Sequence, residues 1–266
     1  MKRFVGPAFI AAILFPISTA ADLQKDADQH HQQMQSENEG IIFGKIKGNL
    51  VEFGSAGVLG EGRAPIDEHS LFEIGSITKT FTGVLLADQV LRGNVKLDDP
   101  ITKFLPDLTT VSEFDLSSVS LVDLATHTSG FPRLPSNLEE GSEPDNPYAH
   151  YTNERLYKYL ASFTADDFEE PGKMSYSNLG IGLLGHLLEL ATGKTYEELL
   201  AEVILVPLKM EETYFQRSTD AIPETANGRF ATGHRAGKTV SHWQIDALGG
   251  AGAIVSSASD MLRYAR

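Results

Sequence analysis

Ser76-Ile77-Thr78-Lys79 sets a hydroxyl and an amine three residues apart, at the point where an apolar helical pattern begins. Ile77, Phe81, Val84, Leu85 and Leu91 recur at helical spacing, so a helix is expected over 76–91, ending at Gly93-Asn94. Residues three apart share a helix face, which brings the lysine amine within reach of the serine hydroxyl. The free N–H groups and dipole of a helix start also favour negative charge developing there. A serine hydroxyl is a weak nucleophile until a base removes its proton, and a desolvated lysine is one such base. The same residues also read as an N-cap serine followed by a solvated lysine.

Tyr176-Ser177-Asn178 follows one hundred residues later, just ahead of a helical pattern over 179–191 that closes at Thr192-Gly193. A phenol and a carboxamide two apart on a tight loop can face one cleft. Tyr176 is then a proton relay, while the Asn178 amide donates to a substrate carbonyl and accepts from Lys79. A buried tyrosine beside a helix-capping asparagine accounts for the motif equally well.

Together these motifs resemble the penicillin-recognising serine hydrolases, which include class C β-lactamases, DD-peptidases of similar build and related esterases. Phe72-Glu73-Ile74-Gly75 leads into the serine as in that family. Leu97-Asp98-Asp99-Pro100 and Phe104-Leu105-Pro106 are similar to the stretch after its nucleophile helix. Leu124-Ala125-Thr126-His127-Thr128-Ser129-Gly130, Pro207-Leu208-Lys209-Met210 and 249–260 are family-like too, so the resemblance runs in order over 40–266.

The resemblance implies an α+β fold of β-lactamase/transpeptidase type, an antiparallel sheet flanked by helices beside a mostly helical subdomain. It implies acyl transfer through a covalent serine intermediate: Ser76 attacks a carbonyl carbon, Lys79 and Tyr176 manage the proton, and Asn178 holds substrate. Whether Lys79 or Tyr176 is the base stays open. β-Lactam hydrolysis is the activity expected first. DD-carboxypeptidase/endopeptidase action on peptidoglycan peptides and hydrolysis of small esters are the alternatives. An inactive, ligand-binding relative or fragment is the alternative from another class.

The family also carries a Lys/His-Thr/Ser-Gly motif on a strand that lines the site and donates one oxyanion N–H. Lys238-Thr239-Val240 lacks the glycine and comes too early, and Thr128-Ser129-Gly130 precedes the tyrosine motif, so neither is counted. Ser257-Ala258-Ser259-Asp260 reads as a capping box opening an amphipathic helix with Met261, Leu262 and Tyr264, and the sequence stops at Arg266 inside it. The expectation is a frame cut short, its last strands missing and its activity and stability reduced. After Phe131-Pro132 come Arg133 and Leu134, where class C enzymes tend to place an amide-contacting glutamine; this argues against a narrow cephalosporinase.

The N-terminus reads as a secretory signal peptide: basic Lys2 and Arg3, an apolar run over 4–17, then small Ser18-Thr19-Ala20. Its two prolines and short length argue against a stable membrane span. No cysteine occurs, which excludes a lipoprotein anchor and disulfides alike. A periplasmic or secreted monomer is expected, with the signal peptide over 1–20, a polar lead-in over 21–39, mobile or helical, and the hydrolase domain over 40–266. A formal charge of −14 makes the chain a poor partner for nucleic acid. No cofactor or metal is expected, since the histidines form neither His-x-His-x-Asp nor His-Glu-x-x-His. There is no Gly-x-Ser-x-Gly nucleophile elbow, and His127 is read as structural.

Strands are expected over 41–47 and 50–55 about a Gly48-Asn49 turn. Further helices are expected from the capping box at Ser120, over 153–161, and over 195–204 with Thr195 and Glu198 as the capping pair. The Ser/Glu/Pro-rich stretch 135–147 has no apolar period and reads as a surface lid.

Overall fold

The computed structural model describes residues 20–34, 36, 38–105, 115–217, 223 and 226–266. In chain order its elements are α1 (Ala20–His31), β1 (Gly40–Lys47), β2 (Leu50–Gly57), β3 (Leu71–Glu73) and α2 (Thr78–Leu91). Then come α3 (Leu121–Thr126), α4 (Asn153–Ala161), α5 (Asn178–Thr192), α6 (Tyr196–Leu200), α7 (Val206–Leu208) and β4 (Tyr214–Phe215). β5 (Gly233–Arg235), β6 (Lys238–Val240), β7 (Ile254–Ser257) and α8 (Ala258–Tyr264) follow. The signal-peptide reading, apart from Ala20, and Pro106 lie outside the described residues. The chain divides into two units, one holding the described residues up to 74 with 223–242 and 256–266, the other those of 75–222 with 243–255.

In the first unit β1 and β2 pair antiparallel throughout, from Gly40 opposite Gly57 to Lys47 opposite Leu50, so the hairpin turns at Gly48-Asn49 as the sequence predicts. The polar lead-in is helical as far as His31: α1 buries Leu23 and Ala27, four apart on one face, and Gln24 Nε2 donates to Ser55 O of β2 at 2.8 Å. α8 is capped by Ser257 Oγ, which accepts from Asp260 N at 3.1 Å, and Leu262 lies against Gly44 of β1. β5 and β6 form a separate antiparallel hairpin, which is where Lys238-Thr239-Val240 resides.

The second unit is built around α5, buried from Leu179 through Leu188. A helix apolar on every side belongs in a core. Its Gly182 admits the backbone of Leu248 so closely that a Cβ would stand 2.7 Å from the Leu248 Cα. The turn over 249–251 is thereby held beside α2, where Thr82 Oγ1 donates to Gly250 O at 2.7 Å. Nearby, Tyr214 and Phe215 of β4 pair antiparallel with Val255 and Ile254 of β7.

Two expectations need correction in this unit. The buried face of α2 contains Phe81, Leu85 and Leu86, but also Thr78, Lys79, Thr82 and Gln89, while Val84 and Leu91 are exposed. That face meets backbone as well as side chains: Thr78 Oγ1 accepts from Ile254 N at 3.2 Å, so hydrogen-bonding residues occupy positions that periodicity assigns to apolar ones. The helix expected over 195–204 becomes α6, a π-helical turn over Ala201–Leu205 and then α7. Pro207 supplies no N–H to the preceding turn and crowds its carbonyl, which favours the wider turn. The stretch 135–147, read as a surface lid, is largely exposed and is tied down where Leu138 is buried, Tyr151 Oη donates to Asn137 Oδ1 at 2.9 Å and Arg155 Nη1 donates to Glu140 O at 2.9 Å. The capping boxes at Ser120/Asp123 and Thr195/Glu198 form as expected.

Candidate active site

Ser76 sits in a 3₁₀ turn over Gly75–Ile77, one residue ahead of the α2 N-cap, Ile77, which has no side-chain cap bond. The capping reading of Ser76 therefore fails. Its exposed hydroxyl instead receives two donors, Lys79 Nζ at 3.0 Å and Tyr176 Oη at 2.7 Å. These three expected site residues are thus brought together from positions 100 residues apart.

Lys79 lies behind the serine, only 9% exposed, and its amine donates to Ala251 O at 2.7 Å. Among the described residues no carboxylate stands within ion-pair distance of it. Burial, and then the charge of Arg133, pull the amine from its ordinary 10.5 down to about 7. Near neutral pH a substantial fraction is uncharged and able to take a proton. The Tyr176 ring has Lys79 Nζ 4.9 Å from its centroid and the Arg133 guanidinium carbon at 5.0 Å.

The Tyr-Ser-Asn motif divides its labour differently from the sequence reading. Ser177, not Asn178, caps α5: its Oγ accepts from Gly180 N at 2.9 Å and donates to Pro132 O at 2.7 Å. Asn178 is the first residue of α5 and its backbone N–H donates to Arg133 O at 3.0 Å. Its Oδ1 is buried without a partner, and nearby the Tyr148 phenol has its pKa pushed up by burial. The expected bond from Lys79 to the Asn178 amide is not made; the amine donates to the Ala251 carbonyl and to Ser76 Oγ.

The stretch 127–133 braces this motif. Thr128 O accepts from Gly172 N at 2.8 Å, Gly130 O from Glu169 N at 2.7 Å, and Arg133 O from Asn178 N at 3.0 Å. Gly130, at φ +77°, has no room for a Cβ, which would stand 2.8 Å from Phe168 Cε1 and 2.9 Å from Glu169 O. Tyr148 and Ala251 escaped the sequence reading: a tyrosine in a polar loop and a backbone carbonyl in a glycine-rich turn carry no pattern of their own. Among the described residues no group of three or more His, Cys, Asp or Glu could hold a metal ion.

The arrangement suits acyl transfer. An accessible hydroxyl lies between an amine that can be neutral and a phenol, just ahead of the N-terminus of α2.

A family model described as β-lactamase matches residues 43–266. A β-lactamase of Pseudomonas fluorescens is 31% identical over 252 residues, which is 92% of this chain and 64% of the relative. The D-alanyl-D-alanine-carboxypeptidase/endopeptidase AmpH of Escherichia coli (strain K12) is 34% identical over 230 residues, 85% of this chain and 56% of the relative. The solved structure of a class C β-lactamase from Rhodobacter sphaeroides aligns with a TM-score of 0.73 at 29% identity, covering 92% of this chain and 63% of that one. The chain therefore spans between 47% and 64% of the length of the first curated relatives it matches. Its α+β fold is of the β-lactamase/transpeptidase type, as expected. Because the match takes in both motifs, the stretch that braces them and the turn that carries Ala251, the chain belongs to the β-lactamase family.

Proposed function

We propose that the protein carrying this chain is a serine hydrolase that opens β-lactams through a covalent acyl-enzyme. The observation that carries this reading is the Ser76 oxygen held between the Lys79 amine and the Tyr176 hydroxyl, with the amine pulled down to about 7. In acylation neutral Lys79 takes the Ser76 proton as Oγ attacks the lactam carbonyl carbon. The C–N bond then breaks, and the leaving nitrogen takes a proton from Tyr176, which recovers one from Lys79. The Ser76 backbone N–H is one oxyanion donor, a contribution of roughly 3–4 kcal/mol in serine acyl-transfer enzymes. Water then attacks the ester carbon, giving its proton to the Tyr176/Lys79 pair, and Ser76 leaves reprotonated. Asn178 holds substrate, its side-chain amide donating to a substrate carbonyl.

The 34% identity to AmpH supports a second reading, cleavage of peptidoglycan peptides by the same acyl-enzyme. Small esters are a third substrate class for the same serine. β-Lactam hydrolysis and peptide cleavage differ in how fast water releases the acyl group. Location in the periplasm or outside the cell after removal of a signal peptide, and action as a monomer, complete the proposal. No helix among the described residues is long and apolar enough to cross a membrane.

The test uses the full-length protein that carries this chain. Turnover of nitrocefin, of p-nitrophenyl acetate and of a peptide ending in D-Ala-D-Ala ranks the substrate classes. Intact mass after incubation with penicillin should show one adduct, mapped to Ser76 and absent from Ser76→Ala. An adduct on another serine, or none of these activities, overturns the reading.

A further inference from the structure

We propose that His127 is a positioning residue that fixes the Tyr176 hydroxyl on Ser76 by holding the backbone on both sides of the tyrosine. The proposal rests on the reading of Tyr176 as the proton-transfer group. His127 closes α3 in the left-handed region, at φ +63°. From there its carbonyl accepts from Ser175 N at 2.8 Å, and its ring Nδ1 accepts from Ser177 N at 3.1 Å. The N–H groups immediately before and after Tyr176 thus end on one residue. The imidazole itself lies against the phenol, with ring centroids 4.7 Å apart and planes tilted by 35°.

Acceptance at Nδ1 requires the neutral imidazole with its proton on Nε2. Burial, and then the nearby Lys79 charge, hold the His127 pKa below its ordinary value, which favours that form. Ser177 is buried, so its N–H has no solvent to turn to if the acceptor is removed. The loop would shift to satisfy it. Tyr176, one residue away, reaches Ser76 Oγ at 2.7 Å and has little distance to spare.

Two substitutions separate the acceptor from everything else that His127 does. Glycine and asparagine both tolerate a positive φ, and both remove the imidazole ring. Only asparagine returns an acceptor, its Oδ1, to the place of Nδ1. In the full-length protein His127→Gly should lower kcat on nitrocefin by about 10- to 100-fold with a much smaller change in KM, the loss typical of a displaced catalytic group. His127→Asn should recover most of that loss. In a Tyr176→Phe background, where no hydroxyl remains to be positioned, His127→Gly should cost little more. Hydrogen exchange supplies a readout independent of activity: the Ser177 amide should lose protection in the glycine variant and keep it in the asparagine variant, while Ser175, held by the backbone carbonyl, stays protected in both.

Unchanged kcat in His127→Gly, equal losses in the two variants, or an undiminished loss in the Tyr176→Phe background each overturns the proposal. If the wild-type protein neither acylates nor turns over substrate, the proposed function falls and the exchange pattern alone decides the His127 clamp. Protection of Ser177 unaltered by glycine would then end it.

Discussion

Lys79 and Arg217 are both cations withdrawn from solvent in the second unit, and their surroundings drive them in opposite directions. Lys79 faces a hydroxyl and a carbonyl oxygen and, among the described residues, has no carboxylate within ion-pair distance, so burial dominates and pulls its pKa to about 7. Arg217 is also penalised by burial, but its guanidinium reaches Glu197 at 2.5 Å, Glu189 at 2.5 Å and Asp246 at 3.2 Å, and those bonds and charges push its pKa up. One cation is thereby available for proton transfer and the other is a permanent tie between α5, α6 and the segment ahead of 249–251. What a buried cation does is set by the acceptors it meets, carbonyl or carboxylate, and not by burial alone.

The largest expected effects attack the Lys79 side of this comparison. Lys79→Arg keeps a positive charge but cannot shed its proton, so acylation should fall by roughly 10²–10⁴-fold, nearly as far as in Lys79→Ala. Stopped-flow acylation with nitrocefin measures it, and near-normal rates in the arginine variant would show that charge suffices. Tyr176→Phe removes only the hydroxyl; turnover should fall by roughly 10²–10⁴-fold while binding survives.

Arg217→Met tests the other side. It leaves Glu189, Glu197 and Asp246 facing one another without their shared cation, and should destabilise the fold by about 3 kcal/mol in denaturant unfolding, with the Ser76 adduct still forming in whatever remains folded.

The converse change at Lys79 should stabilise. Lys79→Met removes a cation whose folded pKa lies below the unfolded 10.5, so the unfolded chain binds the extra proton between about 7 and 10.5. The cost of burying Lys79 is therefore full below about 7 and fades as pH rises to 10.5. The methionine variant should be more stable by about 1–2 kcal/mol at pH 6, with the gain shrinking towards pH 10. A gain that grows with pH would reverse the assignment.

The smallest effect concerns Arg133, whose charge helps hold Lys79 down. Acylation should rise with pH through about 7 as Lys79 loses its proton, and Arg133→Gln should move that limb upward by a fraction of a pH unit. A limb that moves downward would mean that Arg133 acts on Lys79 in the opposite sense.

Much of this site is legible in the sequence where the relevant partners are neighbours. Ser76 and Lys79 meet because they are three residues apart, and the boxes at Ser120 and Thr195 close within one helical turn. Reading fails where local and distant partners compete. Asn178 has the residue type of a cap, yet Ser177 caps α5 because its Oγ reaches Gly180 N and Pro132 O together. Val84 and Leu91 fit an apolar stripe, yet α2 turns Thr78 and Thr82 inward to meet the backbone of 250–254.

By itself the sequence determined the hairpin about Gly48-Asn49, most helix starts, the pairing of Ser76 with Lys79 and, through its motifs, the family. Each of these depends on residue type and on spacing within a few residues, where chain geometry leaves little choice. Only the tertiary structure decided what chemistry Lys79 can perform. Its acceptor, Ala251 O, lies 172 residues away, the phenol that shares Ser76 lies 100 away, and His127 holds that phenol's loop from 50 residues upstream of Ser177. Loss of water around an amine is a property of everything packed about it, so a pKa near 7 exists only once the chain has closed over Lys79.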